Sequence, residues 1–289
     1  MTTGDIEFGL CLPQFSADGG ATVRAAKAAE ADGYAAVSLF DHLRPLGGPP
    51  QRPILECLTM LTAVAAATSS VRVLPLVLRA PLRPPPVVGA VLRTLDLLAP
   101  DRVVCGVGGG DRQNAAEDLS VGLPALPVQA RHDAIRAVVA AVREQAPGVP
   151  IWIGGTSAAL RTMAGQIGDG WNVWGAQPGV VAAAAAQIQA AALASGRPAA
   201  RITWGGQVVL APTNAKAAQN LALWGAGRSQ AELVGVISGD AAAVGQQLNA
   251  LVDAGVQTIM VSFVGLSAAV ARRAFAHDVL PGVHRRRAS

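Results

Sequence analysis

Short runs of aliphatic and β-branched residues recur along the chain, each followed by a turn and then a longer alanine-rich stretch with apolar positions at helical spacing. The runs at 6–12, 35–40, 71–78, 102–107, 149–155, 170–174, 201–210 and 256–264 are predicted strands. Predicted helices lie near 21–32, 55–68, 86–98, 128–145, 157–167, 179–195, 214–225 and 240–253, with 267–277 closing the chain. Most of the strands are apolar at both alternating positions, the pattern of a parallel sheet covered by helices. Eight such units predict an α/β fold of one domain spanning 1–289, a (β/α)8 TIM barrel. A doubly wound open sheet fits less well, because its first strand more often leads into a glycine fingerprint where this chain reads LCLPQFSADGG. Pro75 interrupts the third run and predicts a bulge or distorted strand there.

Composition supports one large core, since 51% of residues are hydrophobic and only 15% are charged, with no long linker. The formal charge of +4 looks basic, but the tail at 284–289 (HRRRAS) supplies three of those charges and reads as a solvated end. With one Tyr and five Phe, and no basic cluster interleaved with aromatics, a nucleic-acid partner is not expected. Cys11, Cys57 and Cys105 lie in apolar runs without CxxC spacing, so neither a disulfide framework nor a metal site follows. The opening MTTGDIEFG lacks the charge and apolar run of a signal peptide, and GVVAAAAAQIQAAALASG is too short and polar for a membrane span. The expected setting is cytoplasmic, with a small-molecule substrate and no membrane partner.

A barrel gathers its chemistry at the C-terminal strand ends, so polar residues just after each apolar run are the informative ones. After strand two come Asp41 and His42. His132, His277 and His284 fall in predicted helices or the tail, which leaves His42 as the imidazole placed for proton transfer at the barrel mouth. The competing reading has His42 ordering the proline-rich segment RPLGGPPQRP. After strand four comes CGVGGGDRQN, whose spacing matches neither a dinucleotide fingerprint nor a P-loop. Bare glycines such as Gly108 suit a flat ligand lying against the strand end, with Asp111 aimed into the mouth; alternatively Asp111 caps the following helix. After strand five, Gly154, Gly155, Thr156 and Ser157 precede a helix and form either an anion site or an ordinary cap.

In this order the residues resemble the luciferase-like monooxygenase superfamily, and within it the coenzyme F420-dependent oxidoreductases of the methylenetetrahydromethanopterin reductase type. The resemblance rests on FGLCLPQ, GYAAVSLFDHL, AAATSSVRVLPLVLRAPLRPP, TLDLLAPDRVVCGVGGGD, GGTSAALRTMAGQIGDGWN and DAGVQTIMVSF, which together cover nearly the whole chain. It implies a deazaflavin in the barrel mouth, backed by a non-prolyl cis peptide that would fall at Leu76–Val77. By the same resemblance Asp111 takes the acidic position and Asn114 a polar cofactor contact. Asp41 and His42 form the strand-two pair, Gly154 to Ser157 the phosphate side, and Trp174 faces the same region. Two departures stand out: Arg83-Pro84-Pro85 replaces the usual Arg-His-Pro, and the segment from Asn114 to Arg131 is short.

The resemblance therefore implies hydride transfer between F420 and a small organic substrate, with His42 and Asp111 as the catalytic pair, in a homodimer. A reduced-FMN monooxygenase of the same fold and a non-catalytic barrel that has lost cofactor binding are the alternatives.

Overall fold

A computed structural model of the chain describes residues 6–45, 51–110, 114–264 and 268–283. Its strands run β1 (Glu7–Cys11), β2 (Ala36–Leu39), β3 (Arg72–Pro75), β4 (Leu78–Arg79), β5 (Cys105–Gly108), β6 (Ile151–Gly154), β7 (Gly170–Trp174), β8 (Arg201–Leu210), β9 (Ile237–Gly239) and β10 (Thr258–Phe263). The pairing order is β3-β2-β1-β10-β8-β7-β6-β5-β4, and every pair is parallel. Because β3 and β4 are two pieces of one strand, this order closes on itself, helped by a bridge from Val73 to Val103. The result is the expected (β/α)8 barrel, with β9 added beside the far end of β8.

The helices are α1 (Gly19–Ala31), α2 (Cys57–Ala67), α3 (Pro85–Leu98), α4 (Ala115–Ser120), α5 (Val128–Gln145), α6 (Ala158–Ile167), α7 (Pro178–Ala194), α8 (Asn214–Gly225), α9 (Gln230–Leu233), α10 (Ala241–Asp253) and α11 (Ala268–Ala274). Their starts follow local chemistry. Asp18, Glu56, Ser157 and Asp240 each accept a hydrogen bond from a first-turn N–H. The helix α3 instead starts with Pro85 and Pro86, whose missing N–H groups cost nothing in a first turn. Three short elements, α4, α9 and β9, occur where the hydrophobic pattern gives none, because three to six residues carry too little periodicity to register. Among the described residues no helix is long and apolar enough to cross a membrane.

Alternation along the strands sorts side chains into two cores. One lies between sheet and helices and takes Val73, Cys105, Val107, Ile151 and Ile153. The other fills the barrel and takes Cys11, Ala36, Leu74, Leu76, Val104, Trp152 and Met260. All three cysteines are free and buried, and burial pushes the Cys11 and Cys105 thiols up to about 12, so they act as small apolar groups. At the N-terminal end of the barrel Glu7 accepts from both Arg72 and Arg201, which plugs the face opposite the site.

Glu30 of α1 anchors the turn before β3, accepting from the backbone N–H groups of Ser69 (2.8 Å), Ser70 (2.6 Å) and Val71 (3.2 Å). Partial burial pushes its carboxyl up, but these donors and the Ser70 hydroxyl together outweigh that and bring it from 4.5 down to about 2. A depressed acid contributes stability that is complete above its unfolded value and lost as pH falls through the folded one. Glu30→Gln is therefore expected to lower the urea midpoint at pH 7 and to flatten its fall between pH 4.5 and about 2. Superimposable acid limbs for the two proteins would remove Glu30 from that role.

Candidate active site

The floor of the site follows from the alternation. Inward positions at the upper ends of β5 and β6 are Gly106, Gly108 and Gly154, so the layer above Val104 and Trp152 has no side chains of its own. The space is taken by Val77, on the irregular step between β3 and β4. The Leu76–Val77 peptide is cis, at the position the resemblance implies. A Cβ at Gly108 would come within 2.8 Å of a Val77 methyl, and one at Gly154 within 3.0 Å. At Gly106 it would lie 2.3 Å from the Pro75 carbonyl oxygen. The glycines thus let the step pack into the barrel, and half-buried Val77 caps it as a small apolar surface.

To one side stands Trp174 at the end of β7, 36% exposed and edge-on to Phe40 with ring centroids 5.3 Å apart. Gly205 of β8 makes room for it, since a Cβ there would meet the indole at 2.8 Å. Next to it the chain turns from β6 into α6 through Gly155, whose φ of +135° suits glycine. The Ser157 hydroxyl accepts from Leu160 N–H at 3.3 Å and so does serve as the N-cap. The Thr156 carbonyl accepts from Arg161 Nε and Nη2 at 3.0 and 2.8 Å, which brings a guanidinium to this corner.

The rim opposite is built of charges. Asp41 is 2% exposed, and its oxygens accept two bonds from Arg83, each 2.8 Å, and one from Arg79 N–H at 2.8 Å. Arg83 continues to Glu56 at 2.6 Å, the cap of α2. Arg79 donates to the Asp41 carbonyl (2.9 Å), to Asp118 (2.6 Å) and to Glu117 (2.9 Å). Glu117 also accepts from Leu43 and Arg44 N–H and meets His42 Nδ1 at 2.9 Å. Burial pushes the Glu117 carboxyl up, but the bonds from His42 and Leu43 and the nearby Arg79 guanidinium outweigh it and hold it below the usual carboxylate range. His42 Nε2 has no partner among the described residues and is not a buried atom.

Comparison with known proteins decides what kind of barrel this is. Residues 6–273 match the family described as luciferase-like monooxygenase. The chain belongs to that family. Over 171 residues it is 30% identical to the F420-dependent glucose-6-phosphate dehydrogenase of Beutenbergia cavernae, a match covering 50% of this chain and 49% of that one. The chain thus spans about half the length of this curated relative. Among solved structures, an F420-dependent secondary alcohol dehydrogenase in complex with an F420–acetone adduct superposes with a TM-score of 0.85 at 16% identity, covering 97% of this chain and all of the other. The oxygenating constituent of 3,6-diketocamphane monooxygenase from Pseudomonas putida, in complex with FMN, gives 0.78 at 14% identity, with 97% and 99% covered. At these identities the structural likenesses speak for the shared fold.

In this luciferase-like chain the sequence-predicted residues gather at one end of the barrel. Leu76, Val77, Gly108 and Gly154 form the floor and its support, Trp174 a wall, and Gly155 to Ser157 the turn into α6. His42 stands on the rim. Asp41 is there too, but its fully enclosed side chain is turned to the arginines, away from direct contact with a ligand. Asn114 is 5% exposed and occupies the N-cap position of α4. Asp111 lies outside the described residues. Sequence reasoning missed Glu117 and Glu56. Arg79 and Arg83 did carry a signal, the first as the polar residue that follows the third apolar run and the second as the residue that remains where the Arg-His-Pro motif departs.

Proposed function

We propose that the chain is an F420-dependent oxidoreductase acting on a small organic substrate at the barrel mouth. The observation that carries this reading is the floor: a small apolar step over three bare glycines, with an imidazole at its edge, in a chain whose curated relative uses F420. The fit to a flat ring is chemical as well as steric. Val77 offers an apolar face, and the Gly155–Ser157 corner beside Arg161 suits an anionic tail.

When bound, the deazaflavin would supply or accept the hydride. The chain's own residues position the reactants and move the accompanying proton. Leu76, Val77, Gly108 and Gly154 would support the ring, with Trp174 enclosing one side and Gly155, Thr156 and Ser157 holding the phosphate. Asn114 and Asp41 act nearby, the latter through the arginines it holds. His42 would take a proton from, or return it to, the substrate at Nε2, its only ring nitrogen without a partner among the described residues. Asp111 is assigned the second proton-handling position by resemblance.

Titrating the protein with F420 and with FMN, followed by fluorescence, tests the reading. Saturable F420 binding with weak or absent FMN binding is expected. Tight FMN binding without F420 binding would overturn it in favour of a flavin monooxygenase, and binding of neither would favour a non-catalytic barrel.

A further inference from the structure

We infer that Glu117 is the positioning residue of His42: it holds the ring proton on Nδ1 and so leaves Nε2 as the nitrogen that exchanges a proton with the substrate. This rests on the reading of His42 as the group that moves that proton.

A neutral imidazole carries one N–H, and which nitrogen bears it is set by what faces each of them. An ionised carboxylate can only accept. Glu117 Oε2 lies 2.9 Å from Nδ1, so the neutral ring must donate from Nδ1, and its Nε2 then presents a lone pair. The carboxylate is not free to turn away. Its other oxygen accepts from Leu43 N–H, from Arg44 N–H at 3.2 Å and from Arg79 Nη2 at 2.9 Å. Arg79 is itself fixed, through Nε to the Asp41 carbonyl and through Nη1 to Asp118. Only 5% of the Glu117 side chain is exposed, against 12% for His42, so little water competes for the contact.

When Nε2 takes up a proton, the positive ring faces a carboxylate already in place. When it gives the proton back, the tautomer is restored without the ring turning. The same contact would also tie α4 to the end of β2 in a purely architectural role, and one substitution separates the two. In Glu117→Gln the amide oxygen keeps the Leu43, Arg44 and Arg79 bonds. The amide nitrogen replaces Oε2 and donates to Nδ1, which forces the ring proton onto Nε2.

The test is long-range 1H–15N spectroscopy of the histidine-labelled chain without cofactor, at a pH where the ring is neutral, with the His42 signals assigned by His42→Gln. The parent is expected to show Nδ1 protonated and Nε2 bare, and Glu117→Gln the reverse. With F420 and substrate, the Gln variant is expected to turn over about 10²-fold more slowly, with F420 affinity within about twofold of the parent. A parent His42 protonated on Nε2 would overturn the inference without recourse to any variant, as would a Gln variant with unchanged tautomer and turnover. Absence of F420 binding would overturn the cofactor reading, while the tautomer alone decides the role of Glu117.

Discussion

His42→Ala is expected to lower turnover by roughly 10²–10⁴-fold, the range contributed by a positioned general acid or base, while F420 affinity changes little. Affinity survives because the floor is made by Val77 and the glycines, none of which touches the imidazole in the contacts described above. The fold should survive as well. Without the ring, Glu117 still accepts from Arg79 and from two backbone N–H groups, so no charge is left buried without a partner. A loss of activity with intact binding and an intact urea midpoint would place the defect in the proton step. Unchanged kcat would remove His42 from the chemistry and leave it as an anchor for α4.

The largest stability effect is expected at Asp41. Its side chain is fully enclosed, and among the described residues removing it in Asp41→Ala leaves Arg83 with Glu56 alone and the Arg79 N–H without an acceptor. Breaking a buried pair from one side costs about 3–5 kcal/mol, because the surviving charge stays in a poorly solvated place. Urea unfolding should show that loss. The double variant Asp41→Ala/Arg83→Met should be less damaged than the sum of the two single changes, because it also removes the cation that would otherwise lose two of its bonds. Strict additivity, or a single-variant loss below about 1 kcal/mol, would mean that water already screens the pair.

These two residues are adjacent in the chain yet do different work. Asp41 points into the rim, where it holds the arginines that follow the β3–β4 step. His42 keeps one nitrogen without a partner among the described residues. Their order in GYAAVSLFDHL marks both as strand-end residues and does not say which is enclosed.

Much of this molecule can be read from its sequence, and the reason is local. Strand and helix positions follow from hydrophobic period, helix starts from caps and prolines, and the bareness of Gly106, Gly108 and Gly154 from alternation along β5 and β6. Those properties belong to neighbours in the chain, and they were enough to place a barrel and to point at one end of it. The irregular step at Leu76–Val77 came from resemblance, with Pro75 as a local hint. What only the tertiary structure decided are the pairings across long separations. His42 meets Glu117 across 75 residues, and Asp41 meets Arg83 across 42. No periodicity encodes such contacts, because each depends on where closure of the barrel brings one rim loop against another. Polarity at a strand end was legible in the sequence; whether that polar group is enclosed against an arginine or stands on the open rim was decided by packing.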